Sequence, residues 1–266
     1  MDFCSIASGS SGNCTFAGTD HTSILIDAGI SGKRITEGLH GIGRKPEELD
    51  GILLTHEHID HIRSIGVLMR KHGVPLFTTR GTANYILNCS SLGRIDPELV
   101  HVIEADHPFT LKDLTIEPFH IWHDAAEPVG FRMSDGSAQF AVATDMGCYD
   151  EYIVDHLKGL DGILLEANHD VNMLETGPYP YPLKRRILGE RGHLSNVVAG
   201  RLLSEILHDG MQAVLLGHLS KENNYEALAF VTVTNEITMG DNPYKAEDFL
   251  ISIAGREKPS DCYHLK

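Results

Sequence analysis

Thr55-His56-Glu57-His58-Ile59-Asp60-His61 places four residues able to ligate a metal, His56, His58, Asp60 and His61, within six consecutive positions. The run follows the apolar segment GILLT (51–55), which reads as a buried strand. It leads into a helical pattern from His61 to Lys71, with Ile62, Ile65, Leu68 and Met69 on one face. Alternate residues of an extended chain share a face, so the turn after Thr55 can point His56 and His58 together toward a first metal. Asp60 and His61 fall where the backbone changes direction, which turns them toward a second. Imidazole and carboxylate donors suit Zn²⁺, with Mn²⁺ or Fe²⁺ as alternatives, and no thiolate is required. A histidine-rich surface turn is the competing explanation, and four ligand-type residues directly after a strand outweigh it.

Outward from this turn, further apolar runs read as strands: SILIDAG (23–29), VPLFTT (74–79), LTIEPF (114–119), QFAVATD (139–145), DGILLEA (161–167), AVLLGHLS (213–220) and DFLISIAG (248–255). Asp135-Gly136 between VGFRM and QFAVATD suits a tight antiparallel hairpin. A second helical pattern spans Asn196 to His208, with Ser195 or Asn196 as its cap and Gly210 at its end. Strands and helices together predict an α/β architecture of sheets covered by helices, in one domain over residues 1–266. Gly9-Ser10-Ser11-Gly12-Asn13 lacks a phosphate-loop lysine and a following helix pattern, and reads as a hairpin turn. From Asn168 to Gly192 no period is visible, and Pro178, Pro180 and Pro182 accompany Lys184, Arg185, Arg186 and Arg191; the segment reads as a long loop.

The composition bounds the partners. Hydrophobic residues make up 42% of 266, enough for a buried core. Lys plus Arg number 22 against 37 Asp plus Glu, a formal charge of −15 that excludes a generally basic nucleic-acid-binding surface. Any polyanion must meet a local cationic patch. Five scattered cysteines form no CxxC pair or regular framework and read as free thiols. No apolar run is long enough to cross a bilayer, so the expectation is a soluble cytoplasmic protein without membrane insertion.

Thr55-His56-x-His58-x-Asp60-His61 resembles the signature of the metallo-β-lactamase superfamily. The resemblance implies a four-layer αββα sandwich without an inserted cap domain, with metals at one edge of two facing sheets. It also implies three further ligand stations. A third histidine follows a strand, His123 in preference to its rival His120; a bridging carboxylate, Asp145, ends the next; His218 ends a late one. The implied set is His56, His58 and His123 on one metal, Asp60, His61 and His218 on the other, and Asp145 between them. Asp27 resembles the aspartate that supports the ligand turn without binding metal, and Cys148 is left as structural.

Two divalent ions lower the pKa of a bridging water and neutralise charge on a phosphoryl or acyl oxygen, so hydrolysis is the expected reaction. Asp60 is both a ligand and a plausible hydrogen-bond acceptor from the nucleophile. The leaving group needs a proton, and His193, oriented by Glu166, can provide it; the competing explanation is a helix-start histidine and an exposed strand end. ASGSSGNC, THEHIDH, WHDAAEPVGF, ATDMG, LEANHD, GHLSN and HLSKENN together are similar to the YycJ (WalJ) family, related to ribonuclease Z. That resemblance implies a metal-dependent 5′-to-3′ exonuclease on DNA, and double-stranded DNA is the expected partner. Lys184, Arg185, Arg186 and Arg191 are candidates for phosphate contact, and Asn223 and Asn224 for ordering the loop after His218 or touching substrate. The alternatives are a small-molecule ester or thioester hydrolase of the same fold, or a non-catalytic regulatory partner.

Overall fold

The structure, a computed structural model, describes residues 1–266. Its strands form two seven-stranded sheets. The first contains β1 (Asp2–Ala7), β2 (Cys14–Gly18), β3 (Ser23–Ile26), β4 (Gly51–Leu53), β5 (Leu76–Thr79) and β6 (Val100–Ile103), with β14 (Tyr263–His264) beside β1 at its edge. The second runs in chain order from β7 (Phe109–Leu111) through β8 (Leu114–His120), β9 (Val129–Ser134), β10 (Gln139–Ala143), β11 (Gly162–Glu166) and β12 (Ala213–Gly217) to β13 (Ile251–Ile253). In each sheet an antiparallel half passes into a parallel half, at β3 in the first and at β10 in the second.

Three apolar layers hold this arrangement. Between the sheets, Phe3, Ile24, Ile26, Leu53, Phe131, Phe140, Val142, Leu164 and Leu215 form one cluster. Their sequence neighbours Leu25, Ala141, Ile163, Leu165, Val214 and Leu216 point outward and meet helices. Both faces of the central strands are therefore covered, which is why their sequences are unbroken apolar runs without polar alternation. Outside the first sheet lie α1 (Gly32–Gly41), α2 (Ile59–Ile62), α3 (Ile65–His72) and α4 (Arg80–Asn88). Outside the second lie α5 (Glu151–Leu157), α8 (Asn196–Ile206) and α9 (Glu226–Met239), while α6 (Val171–Thr176) and α7 (Tyr181–Ile187) sit in the β11–α8 connection. The helix–sheet–sheet–helix order is the αββα sandwich expected from the ligand turn.

The helices required three corrections. The pattern from His61 to Lys71 breaks after Ile62, because Ser64 donates its N–H to Ala28 O at 2.8 Å and its hydroxyl to Ile30 O at 2.5 Å, pulling the backbone out of the helical ladder. The segment from Asn168 to Gly192 is not a long loop but carries α6 and α7. Asp170 caps α6, and Pro182 sits in the first turn of α7, where no N–H is needed and its fixed φ favours the helix. The helix capped by Ser195 ends at Ile206, with Leu207 rather than Gly210 closing it. The Asp135-Gly136 hairpin pairs Ser134 with Gln139 as expected, and the glycine-rich turn at Gly9 to Asn13 joins β1 to β2.

Candidate metal centre

Strands β3, β4, β8, β10, β11 and β12 all run toward the same rim of the sandwich, and the predicted metal ligands and Glu166 lie at or beyond their C-terminal ends, while His193 enters from the start of α8. Three strand ends share one backbone device. Asp27, Asp145 and His218 adopt φ of 63°, 61° and 54°, the left-handed region that non-glycine residues rarely enter. Such conformations persist where surrounding structure fixes them, and here each turns a side chain away from the strand and across the rim. The ligand turn is itself pressed into place: a Cβ on Gly29 would lie 1.6 Å from Asp60 O, so the loop after β3 can pack against the turn only because residue 29 has no side chain.

Four groupings of ligand atoms arise, with all members of each within 4.8 Å of one another: His56, His58 and His123; Asp60, His61 and His218; His56, His61 and Asp145; and Asp145, Glu166, His193 and His218. Asp145 links the first two, lying 3.2 Å from His61 Nε2, 3.4 Å from His218 Nε2 and 3.7 Å from His123 Nε2. His120 stands exposed at the end of β8, whereas His123 is buried with Nε2 3.2 Å from His58 Nδ1. Cys148 belongs to none of these groupings.

The far nitrogens of the histidines are held by other groups. Asp27 Oδ2 lies 2.7 Å from His61 Nδ1, and Asp27 Oδ1 accepts Thr55 N–H at 2.9 Å and the Thr55 hydroxyl at 3.0 Å. His56 Nδ1 meets the Thr55 hydroxyl at 3.0 Å, His123 Nδ1 meets Gly192 O at 3.1 Å, and His218 Nδ1 meets Glu166 Oε1 at 2.9 Å. These contacts leave the Nε2 atoms of His56, His61, His123 and His218 facing the centre. His56 Nε2, His218 Nε2 and Asp145 Oδ2 are sealed from solvent and lack a sound hydrogen bond, an expensive arrangement unless a cation satisfies them. The electrostatics agree. Burial opposes a charged His218, yet Asp145, Asp60 and Glu166 raise its pKa to about 10; burial also opposes a charged Asp145, yet His218 and His61 hold its carboxyl well below the usual range. The acidic surroundings demand positive charge, and the donor set suits divalent ions. Replacing Asp27 by Ala should therefore lower metal affinity by roughly 10- to 100-fold, read by competition against a chromophoric chelator.

His193 and Glu166 come together as expected: His193 Nδ1 lies 2.8 Å from Glu166 Oε1 and 3.6 Å from Asp145 Oδ1. Glu166 is fully buried, so it is not an exposed strand end. It also accepts Met146 N–H at 2.8 Å and Leu194 N–H at 3.1 Å. Burial works against its ionisation, but His193 and His218 bring its pKa down to about 2. That the same carboxylate grips both His193 and His218 was invisible in the sequence.

The four predicted cations separate. Lys184 donates to Glu175 O at 2.7 Å and Gly177 O at 2.8 Å, tying α7 to the end of α6. Arg186 pairs with Asp124, whose Oδ1 lies 3.6 Å from His123 Nε2. Arg191 lines a cavity shared with His123, and Arg185 is exposed.

Several site-ordering residues were missed. Asn13, in the glycine-rich turn, donates its N–H to Asp60 O at 2.8 Å and presents its side-chain amide 3.0 Å from His61 Nε2. Asn168 donates to His218 O at 2.8 Å, and Ser8 Oγ accepts His218 N–H at 2.8 Å. Glu57, a turn carboxylate outside the ligand groupings, accepts from Ala126 N and Thr82 Oγ1, tying the turn to the His123 loop and α4. Asn224, which the sequence did offer as a residue ordering the loop after His218, donates to Ala167 O and Asn168 O. Buried asparagines beside ligand stations were the available signal.

Fold and centre together define a metallo-β-lactamase-fold protein, and the model of the Beta-lactamase superfamily domain matches residues 22–218. Exodeoxyribonuclease WalJ from Streptococcus pneumoniae serotype 2 (strain D39) is 42% identical over 236 residues, covering 89% of this chain and 88% of that protein. Exodeoxyribonuclease YycJ from Bacillus anthracis is 35% identical over 234 residues, covering 88% of each. The chain belongs to this WalJ/YycJ family of the beta-lactamase superfamily. Among solved structures, the metallo-β-lactamase-fold protein YhfI from Bacillus subtilis superposes with a TM-score of 0.71 at 19% identity, covering 98% of both chains, which supports the fold. No helix is long and apolar enough to cross a membrane.

Proposed function

We propose that the protein is a dinuclear metal-dependent phosphodiesterase that degrades DNA from a 5′ end, acting on double-stranded DNA in the cytoplasm. The observation that carries this reading is the contact of His193 with the buried Glu166, 2.8 Å apart and abutting Asp145 and His218, in a chain 42% identical to an exodeoxyribonuclease. Residues 1–266 act as one hydrolase domain, with α5 to α8 rather than an inserted cap between Asp145 and His218. His56, His58 and His123 would hold one ion, and Asp60, His61 and His218 the other, with Asp145 shared; zinc or manganese suits this set, and iron is an alternative. Divalent ions held there supply activation of water and neutralisation of charge at the scissile phosphate.

The chain's own groups do the rest. Asp60, with Oδ2 3.6 Å from His61 Nε2 and 3.5 Å from His218 Nε2, stands at the rim as the acceptor that orients the attacking water. Glu166 accepts the Nδ1–H of His193, orienting the ring and supporting its doubly protonated form, so that the Nε2–H of this partly exposed imidazolium gives its proton to the leaving 3′ oxygen. Arg191 and Arg185 are exposed cations for phosphate contact, while the equally exposed Arg186 is paired with Asp124 at the rim.

The test is a substrate panel of single- and double-stranded DNA and RNA with defined 5′ ends, run in zinc and in manganese and again with chelator. The expected result is stepwise nucleotide release from the 5′ end of DNA that stops on chelation. A metal-replete protein that hydrolyses thioesters and leaves every phosphodiester intact would reverse this conclusion.

A further inference from the structure

Beside the centre lies a cavity of about 530 Å³ that shares His123 with the first ligand grouping. On its wall is Trp122, the single tryptophan of the chain and 45% exposed although adjacent in sequence to a buried ligand candidate. Its exposure is organised. Trp122 O accepts Gly147 N–H at 2.8 Å, and the indole Nε1–H donates to Asp150 Oδ2 at 3.3 Å, so both the backbone and the polar edge of the ring are anchored. Asp150 is in turn fixed as the cap of α5, accepting Ile153 N–H at 3.1 Å. Glu127, the other carboxylate of the cavity, already accepts Gly81 N–H at 2.7 Å. The exposed Arg191 supplies positive charge on the same wall, and Tyr152 adds a second aromatic surface.

A rigid, half-exposed indole next to a cation and opening on a phosphodiesterase centre matches what a nucleic-acid end requires. Every base has a π-face that stacks on an aromatic ring without regard to sequence, while its phosphate seeks a guanidinium. We propose that this cavity is a base-stacking subsite: the nucleobase at the strand end being degraded lies on Trp122, with Arg191 beside its phosphate, which sets the scissile bond at the ligand groupings. The subsite rests on the nuclease reading and adds a positioning role to it. It also requires the terminal base to leave its pair, so the bound end is single-stranded.

Because Trp122 is the lone tryptophan, its emission reports on this cavity alone. The experiment titrates the metal-replete full-length protein with a short 5′-phosphorylated oligothymidylate bearing non-hydrolysable linkages and with the same strand carrying an abasic terminal residue; anisotropy of a labelled strand measures binding independently. Saturable quenching by the intact strand but not by the abasic one is expected. Trp122→Ala should raise Kd by about 5- to 150-fold, and Trp122→Phe, which keeps an aromatic face, should recover most of that loss. Binding seen by anisotropy with unchanged emission, or with equal quenching by the abasic strand, overturns the stacking subsite and leaves the nuclease reading intact. Absence of binding by either measure overturns both.

Discussion

Replacing Asp145 by Ala is expected to lower turnover by several kcal/mol of transition-state stabilisation, on the order of 10³-fold, and to reduce bound metal on both sides of the centre together. The geometry explains why one side chain has this reach. Asp145 is the carboxylate within 3.7 Å of histidines from both ligand triads, and its backbone is held at φ 61° to put it there. Removing a terminal ligand such as His58 subtracts one donor from one triad; removing Asp145 takes the shared negative charge from both. Metal analysis and kcat measured on the same preparation check the result, with circular dichroism confirming the fold. Loss of a single ion with the other retained would show that Asp145 serves one triad and that the two ions are bound independently.

How much of this was readable in advance depended on how each feature is encoded. The ligand turn was legible because its donors fall within six positions, and the central strands were legible because residues such as Ile163 to Leu165 are covered on both faces and cannot be polar, whereas β1, β2, β6, β7 and β14 were not read. The left-handed backbone at Asp27, Asp145 and His218 was not, since nothing in the residue type announces that packing will hold an aspartate or histidine at positive φ. Helices α6 and α7 were missed because each is too short to display a period, and because Pro182 reads as a breaker in sequence yet is favourable in a first turn. The break between α2 and α3 depends on Ala28 and Ile30, more than thirty residues away from Ser64, capturing hydrogen bonds that a local pattern assigns to the helix. The same limit applies to the cations. Lys184 and Arg186 stand close in sequence to His193, but the carbonyls of Glu175 and Gly177 and the carboxylate of Asp124 claim them, and proximity along the chain does not reveal such competition.

The second large effect separates two roles that converge on Glu166. His193→Ala should lower kcat by about 10²- to 10⁴-fold, the range for loss of a positioned proton donor, with metal content near normal. If metal is lost instead, His193 is a ligand, a possibility its 3.6 Å approach to Asp145 makes worth excluding. Glu166→Gln removes the charge that holds His193, and it also disturbs His218, whose Nδ1 lies 2.9 Å from the same oxygen. This variant should therefore lose both turnover and roughly 10- to 100-fold in metal affinity. Combined, the two substitutions should cost turnover little more than the larger single one at saturating metal, because once His193 is gone the proton-transfer part of the Glu166 role has nothing left to act on. The metal-affinity loss should be the same in Glu166→Gln with or without His193. Additive losses in kcat would mean that Glu166 serves the reaction through His218 and the metals alone, and that the 2.8 Å contact with His193 only fixes the start of α8.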